Sequence, residues 1–304
     1  MILSASRRCD LPAFGFEYFL RSLDEGFVEV RNPFNAASVR RVSLAPADLD
    51  CIVFWTRDPR RLLAGLDRLR ELRDRFFAHV TVTGYPRELE PGVAATDWAI
   101  GAVRDLASRI GKERIVWRYD PVVLAGSLDR AFHLANFTRL ADRLAGSVSR
   151  VVVSLLDEYT PTRGRLERAG FGPVRFGSRR DDRTAAHGPR RETAGTDGLA
   201  GLAAKSAPPP IPAEPWPGLL AGLGSVAAAF GLPIGACAEP FDLAPFGIDS
   251  APCIDGSELG RLFGFAAPTA RDSGQRPACR CSPSVDIGAY GPCPAGCVYC
   301  YARR

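Results

Sequence analysis

The feature that most constrains this fold is an alternation between short apolar runs and helical patterns. The runs are Ile2–Ala5, Phe27–Val30, Cys51–Trp55, Val80–Val82, Ile115–Trp117, Val151–Leu156 and Pro233–Ala238, and each closes on polar or charged residues. Runs this short and this rich in β-formers read as buried strands. Amphipathic stripes lie between them: Leu62, Leu66, Leu69 and Leu72; then Trp98, Ala102, Leu106 and Ile110. Leu134, Phe137, Leu140 and Leu144 make a third, and Leu219, Leu220, Leu223, Val226 and Phe230 a fourth. Each stripe reads as a core-facing helix side. Strand–helix alternation at intervals of about 25–35 residues predicts a parallel α/β sheet, and this many units predicts a TIM-barrel-like closed or partial (β/α) barrel.

The rhythm breaks over residues 178–216, a polar Gly-, Ala- and Pro-rich stretch ending in Pro208-Pro209-Pro210. It carries no periodic apolar face and is read as a flexible insertion, with a linker preferred over a lid. The expected organisation is a barrel domain over 1–268 and a cysteine-rich, iron–sulfur cluster-binding tail over 269–304, packed on the barrel mouth. No apolar run approaches the ~20 residues that span a bilayer. The N-terminus turns charged too early for a secretory signal, so a cytoplasmic protein with no membrane partner is expected. The net charge of +5 is almost all arginine, with Lys112 and Lys205 the only lysines. Scattered arginine fits compositional bias better than a nucleic-acid footprint, although nucleic acid stays open as a partner.

Active sites of parallel α/β folds gather at the carboxyl ends of the strands. Here those ends carry Ser4, Arg7, Arg8, Asp10, Arg31, Asn32, Arg57, Asp58, Tyr85, Arg118, Asp120, Asp157, Tyr159 and Glu239. Arg118, Asp120 and Glu239 are the candidate catalytic groups. Arginines beside carboxylates suit a polar or anionic substrate, because guanidinium offers a planar fork of donors. Helix and turn capping is the alternative role for Asp10, Asp58 and Asp120. The three histidines, His79, His133 and His187, build no zinc finger at standard spacing. No Walker loop and no nucleophile elbow is present.

Five of nine cysteines crowd into 279–300, which in a reducing compartment points to a metal site rather than a disulfide framework. Cys293-Pro-Ala-Gly-Cys297-Val-Tyr-Cys300 spaces three thiols on one loop. Three thiolates on a four-iron cluster leave one iron open to a small molecule. Cys237, Cys253, Cys279 and Cys281 are either ligands of a second iron–sulfur cluster or a zinc, or, for Cys237 and Cys253, core residues. Cys51 begins an apolar strand and is read as core.

Residues 290–303 resemble the cluster loop of radical S-adenosylmethionine enzymes, especially that of the spore photoproduct lyase group. Ser4–Ala13, Arg31–Asn35, Phe54–Pro59, Trp117–Pro121, Cys237-Ala-Glu239 and Cys253-Ile-Asp255 resemble the bacterial Domain of Unknown Function family eighteen-forty-eight. Members of that family carry such a cysteine cluster at the C-terminus. The resemblance implies that Cys293, Cys297 and Cys300 ligate a 4Fe–4S cluster whose unique iron binds S-adenosylmethionine. It further implies reductive cleavage to a 5′-deoxyadenosyl radical, an electron donor such as ferredoxin or flavodoxin, and cofactor contacts at Gly296 and Tyr299. No Gly-Gly-Glu stretch follows a strand, so Glu239 is the candidate partner for the methionine amino group. Cys9 stands where members usually have threonine, which marks it as incidental. A zinc- or iron–sulfur-stabilised nucleic-acid-binding protein without radical chemistry is the alternative function.

Overall fold

The run Ile2–Ala5 is buried at every position and Cys51–Thr56 at all but one, which a strand permits only when both faces of its sheet are covered. The computed structural model describes residues 1–32, 35–177, 208–291 and 293–303. In chain order the elements are β1 (Ile2–Ala5), α1 (Leu11–Phe14), α2 (Phe16–Glu25), β2 (Phe27–Asn32), β3 (Asn35–Ser43) and β4 (Cys51–Thr56). Next come α3 (Arg60–Ala64), β5 (Phe76–Thr81), α4 (Thr96–Ile110), β6 (Ile115–Val122), β7 (Leu124–Ala125) and α5 (Arg130–Leu144). They are followed by β8 (Arg150–Leu155), α6 (Thr160–Arg168), β9 (Val174–Arg175), α7 (Trp216–Ala229), β10 (Ile234–Ala236), β11 (Asp249–Ser250), α8 (Gly256–Phe263) and β12 (Val285–Asp286).

Eight strands form one sheet in the order β11-β10-β8-β6-β5-β4-β1-β12, every neighbouring pair parallel. From β1 to β11 the spatial order follows the chain, and β12 returns from the C-terminal tail to lie beside β1. No pairing joins β11 to β12 among the described residues, so the sheet is not a hydrogen-bonded closed barrel.

Side-chain alternation gives each face its own core. Leu3, Ile52, Phe54, Phe76, Ala78, Ile115, Trp117, Val151 and Val153 pack with the helical layer, including Leu106, Phe137, Leu140 and Leu219. Ile2, Cys51, Val53, Phe77, Val116 and Val152 point the other way. They pack with Cys237, Cys253, Ile254, Leu259, Cys279 and Cys281, so the inner face is filled by residues after β10. Asp255 starts α8 by accepting from the amides of Ser257 and Glu258, and Arg150 at the start of β8 donates to Glu258 at 2.5 Å.

Several expectations change against this architecture. Phe27–Val30 is a strand, but it pairs antiparallel with β3 in a separate two-stranded ribbon. Arg31 and Asn32 are therefore exposed on that ribbon and not at the sheet's carboxyl edge. The Val80–Val82 run is the tail of a longer strand, with His79 inside it. Trp98 is 62% exposed, because α4 buries Ala99, Ala102, Val103, Leu106 and Ile110 and leaves the tryptophan ring under the Arg60 guanidinium. Most of the insertion expected over 178–216, with His187, lies outside the described residues.

Candidate functional site

Strand exits bring most of the expected polar residues to one edge. After β1, the Asp286 carboxylate accepts from the Ser4 hydroxyl at 2.8 Å and the Arg7 amide at 2.9 Å. Asp10 caps α1 through the Ala13 amide and also accepts from the Arg57 amide at 2.7 Å after β4. Burial pushes its carboxyl up to about 6 against these hydrogen bonds. Asp58 is tied to Arg60 at 2.6 Å, a local pair at the edge of α3. In β6, Arg118 and Asp120 form a buried ion pair, and Ser154 donates to the same carboxylate from β8. Glu239 accepts from the Leu155 amide at 2.9 Å, tying the β10 exit to β8.

The C-terminal loop lies over these exits. Val298 N–H donates to Leu89 C=O at 2.9 Å, and Gly92 N–H donates to Ala295 C=O at 3.0 Å. Gly92 is needed there, since a Cβ would stand 2.1 Å from the Pro294 carbonyl oxygen. From α6, Arg165 donates to Val298 C=O at 2.8 Å and to Cys300 C=O at 2.6 Å. Gly296 turns the loop at φ 62°, and its amide donates to Cys293 C=O. Tyr301 donates to the Arg7 carbonyl and stacks on Tyr159 after β8.

Beneath the loop, Tyr299 is buried. Its hydroxyl joins Glu90 and Arg57, Arg57 donates to Glu90 at 2.7 Å, and Thr83 donates to the same carboxylate at 2.6 Å. A cavity of about 130 Å³ opens beside this group, lined by Arg57, Thr83, Tyr85, Arg87 and Glu90 among others. Glu90 carries no sequence signal, standing in a Pro-bounded turn rather than at a strand end. Cys297 is buried, while Cys293 and Cys300 are half-buried. Burial pushes the Cys297 thiol up to about 11. Arg57 opposes the shift, and Glu90, Cys300 and Cys293 add to it. Cys9, next to Ser6, lies within electrostatic reach of Cys293.

A second group of thiols lines the inner face. The Cys237 and Cys253 sulfurs are 2.7 Å apart, and Arg118 donates to Cys253 Sγ at 2.9 Å. Cys281 lies between Cys253 and Cys279: its sulfur accepts from the Ile254 amide, next to Cys253, and its own amide donates to Cys279 Sγ, both at 3.4 Å. The four thus run as a chain, Cys237–Cys253–Cys281–Cys279, and all four are buried. Hydrogen bonds from Cys237 and Cys281, with Arg118 behind them, hold the Cys253 thiol well below its ordinary range. Sharing with Cys253, then burial, pushes Cys237 up. A hydrogen bond from Cys281 brings Cys279 down to about 6, and Cys281 itself is pushed up.

His79 closes this pocket. It is stacked on Trp55, and its Nε2 lies 2.6 Å from the Cys253 carbonyl. Burial, then Arg118, pushes its ring down to about 3, so it is neutral. Its Nδ1 has no hydrogen-bond partner among the described residues.

Among the described residues, no group of three or more His, Cys, Asp or Glu side chains is gathered around a common point suited to a metal ion. The donor chemistry of both thiol sets nonetheless suits thiophilic metals, and in neither set is a cysteine engaged in a disulfide. Arg7 lies within electrostatic reach of Cys281 and Cys253 and of Tyr301, whose hydroxyl donates to its carbonyl. No described helix is long and apolar enough to cross a membrane. A family model described as a domain of unknown function (DUF1848) matches residues 2–197 and 204–302. No curated protein and no solved structure matches the chain significantly.

Proposed function

The chain belongs to the DUF1848 family of domains of unknown function, and on that premise we propose that it is a radical S-adenosylmethionine-like enzyme. In this reading Cys293, Cys297 and Cys300 hold a 4Fe–4S cluster over the carboxyl edge of a (β/α) barrel left open between β11 and β12. The observation that carries the reading is the docking of the cysteine loop onto the exits of β1, β4 and β5 and onto α6. Such a cluster, when bound, supplies the electron that cleaves S-adenosylmethionine and so generates a radical able to remove a substrate hydrogen.

The chain's own residues have distinct tasks. Arg165 and the amide contacts to Leu89 and Gly92 fix the loop backbone, so the three thiols keep their spacing without help from their own side chains. Tyr299, with Arg57 and Glu90, seats the loop from below. Gly296 gives the turn that separates Cys293 from Cys297. Glu239 and the Arg118–Asp120 pair supply charge on the β6–β10 side for the cofactor's amino acid moiety or for a polar or anionic substrate. A small electron donor of the ferredoxin or flavodoxin kind approaches from the exposed side of the tail. The compartment that suits such a reduced site is the cytoplasm.

Anaerobic purification followed by counts of iron and sulfide tests the reading, with about four of each expected at the tail. With a reductant and S-adenosylmethionine, 5′-deoxyadenosine should form, and Cys297→Ala should abolish it. A folded protein holding neither iron nor sulfide overturns the assignment. An iron–sulfur protein inert to S-adenosylmethionine keeps the cluster and removes the radical chemistry.

A further inference from the structure

Three segments far apart in sequence deliver four thiols to one place on the inner face: the β10 exit, the β11 exit and the strand-free stretch before β12. Cys237, Cys253, Cys279 and Cys281 are 9%, 4%, 5% and 2% exposed. We propose that these four thiols form a mononuclear thiolate metal site, separate from the tail loop, that takes a thiophilic divalent cation such as zinc.

Distance decides between a single ion and a cluster. A Zn–S bond of about 2.3 Å in a tetrahedron places sulfurs about 3.8 Å apart. Cys237 and Cys253 lie at 2.7 Å, and Cys281 is held beside Cys253 and Cys279 by the amide contacts of Ile254 and of Cys281 itself. An iron–sulfur cubane holds its thiolates on separate irons, much further apart than this. A single ion needs only that the closest pair open by about an ångström and that the chain of sulfurs bend into a ring.

The surroundings are those of a ligand set held in place. His79 fixes the Cys253 carbonyl, and Ile254 N–H donates to Cys281 Sγ at 3.4 Å. Cys281 N–H donates to Cys279 Sγ at 3.4 Å, so two backbone amides already serve sulfur acceptors. Four thiolates around one divalent ion leave a net charge of minus two on the centre. Arg118 at 2.9 Å and Arg7 nearby supply positive charge at that point, each backed by its own carboxylate, Asp120 and Asp286. A dry pocket that sets two arginines against four sulfurs suits a centre that carries net negative charge.

The test uses the full chain with its tail thiols removed, so that it does not depend on the proposed function. A Cys293→Ala, Cys297→Ala, Cys300→Ala variant, folded in the presence of Co²⁺, should bind one cobalt per chain. Its thiolate-to-cobalt charge-transfer intensity should be that of four sulfurs, and Zn²⁺ should displace the cobalt. In that background Cys253→Ser should lose the signal, and the milder Cys279→Ser should reduce it to three sulfurs. Alkylation of the unmutated chain with and without Zn²⁺, read by mass spectrometry, should protect these four cysteines together. Cobalt failing to bind the triple variant while circular dichroism reports a folded protein overturns the site. An unchanged spectrum in Cys279→Ser and Cys253→Ser does so equally.

Discussion

The two thiol sets differ in how the chain assembles them. Cys293, Cys297 and Cys300 share one loop, and their spacing is written in eight consecutive residues. Cys237, Cys253, Cys279 and Cys281 are brought together only when β10, β11 and β12 take their places around the inner face. A local set is tied to the molecule by its anchors, here Arg165 and the Tyr299–Glu90–Arg57 group. A non-local set is tied to the whole sheet. The tail loop should accordingly come loose as a unit of its own, whereas the inner set should be lost only with the global fold.

The largest effect expected from this contrast is on the inner side. Arg118→Met leaves the Asp120 carboxylate without its ion-pair partner and Cys253 without its nearest cation, in a region where Arg118 is almost fully buried. Breaking such a pair from one side costs about 3–5 kcal/mol. Denaturant unfolding should show the loss as a lower midpoint with an unchanged slope. A loss confined to tail protection, with the midpoint unmoved, would break the comparison.

Acid should separate the layers with opposite signs. In α5, His133 Nδ1 meets the Tyr119 hydroxyl and Nε2 meets the Val123 carbonyl, and burial pushes the ring down to about 4 from 6.5. The unfolded chain then binds the proton more tightly. Stability from this group is complete above pH 6.5 and drains away as the pH falls through 6.5 towards 4, by about 3 kcal/mol. Asp10, beneath the tail at the β1 exit, is raised to about 6 from 3.8, so its folded form holds the proton more tightly. Its contribution rises by up to about 3 kcal/mol as the pH falls from 6 to 3.8, offsetting much of the histidine's loss. His133→Asn should flatten the acid limb of a stability–pH curve, and Asp10→Asn should steepen it. The asparagine retains the cap on Ala13 but offers no second acceptor to the Arg57 amide, so the relief of the buried charge at neutral pH is offset by one lost hydrogen bond, about 1 kcal/mol.

The same contrast explains what the sequence makes legible. Cys51–Trp55, Ile115–Trp117 and Val151–Leu156 are continuous apolar runs because both sheet faces are covered, and each is a central parallel strand. β11 and β12 are two residues each, Asp249-Ser250 and Val285-Asp286, and no apolar pattern announces them. Phe27–Val30 looks like the other runs, yet Glu29 is exposed between two apolar neighbours, the alternation of a half-covered antiparallel strand. The tail's cysteine spacing is visible in sequence, but its anchor is not. Glu90 reaches Tyr299 across 209 positions, from a turn with nothing to distinguish it. The four inner cysteines read in sequence as ligands of a second cluster or a zinc, or in part as core, and the choice stays open there because their meeting depends on strands too short to predict.

A smaller effect is expected where the tail meets its seat. Tyr299→Phe removes the hydroxyl shared by Glu90 and Arg57 but leaves that carboxylate its bonds to Arg57 and Thr83. A loss of about 1–2 kcal/mol follows from one buried hydrogen bond to charged partners. It should appear as faster proteolysis after residue 290, more than as a lower global midpoint.

The smallest effect, and the sharpest for the comparison, belongs to Arg165. Its guanidinium spans Val298 C=O and Cys300 C=O from α6, and it is only partly buried, so Arg165→Ala should cost about 1 kcal/mol. Val298 and Cys300 are both half-buried, which limits the loss. Hydrogen exchange resolves the question that a global midpoint cannot. Protection of the Val298 amide, which donates to Leu89, should fall about five-fold for 1 kcal/mol, while amides of β6 and β8 keep theirs. If β6 and β8 lose protection in step with Val298, the tail opens only with the sheet. The two thiol sets then belong to one cooperative unit, and the tail loop is as much a part of the sheet's edge as β12 beside β1.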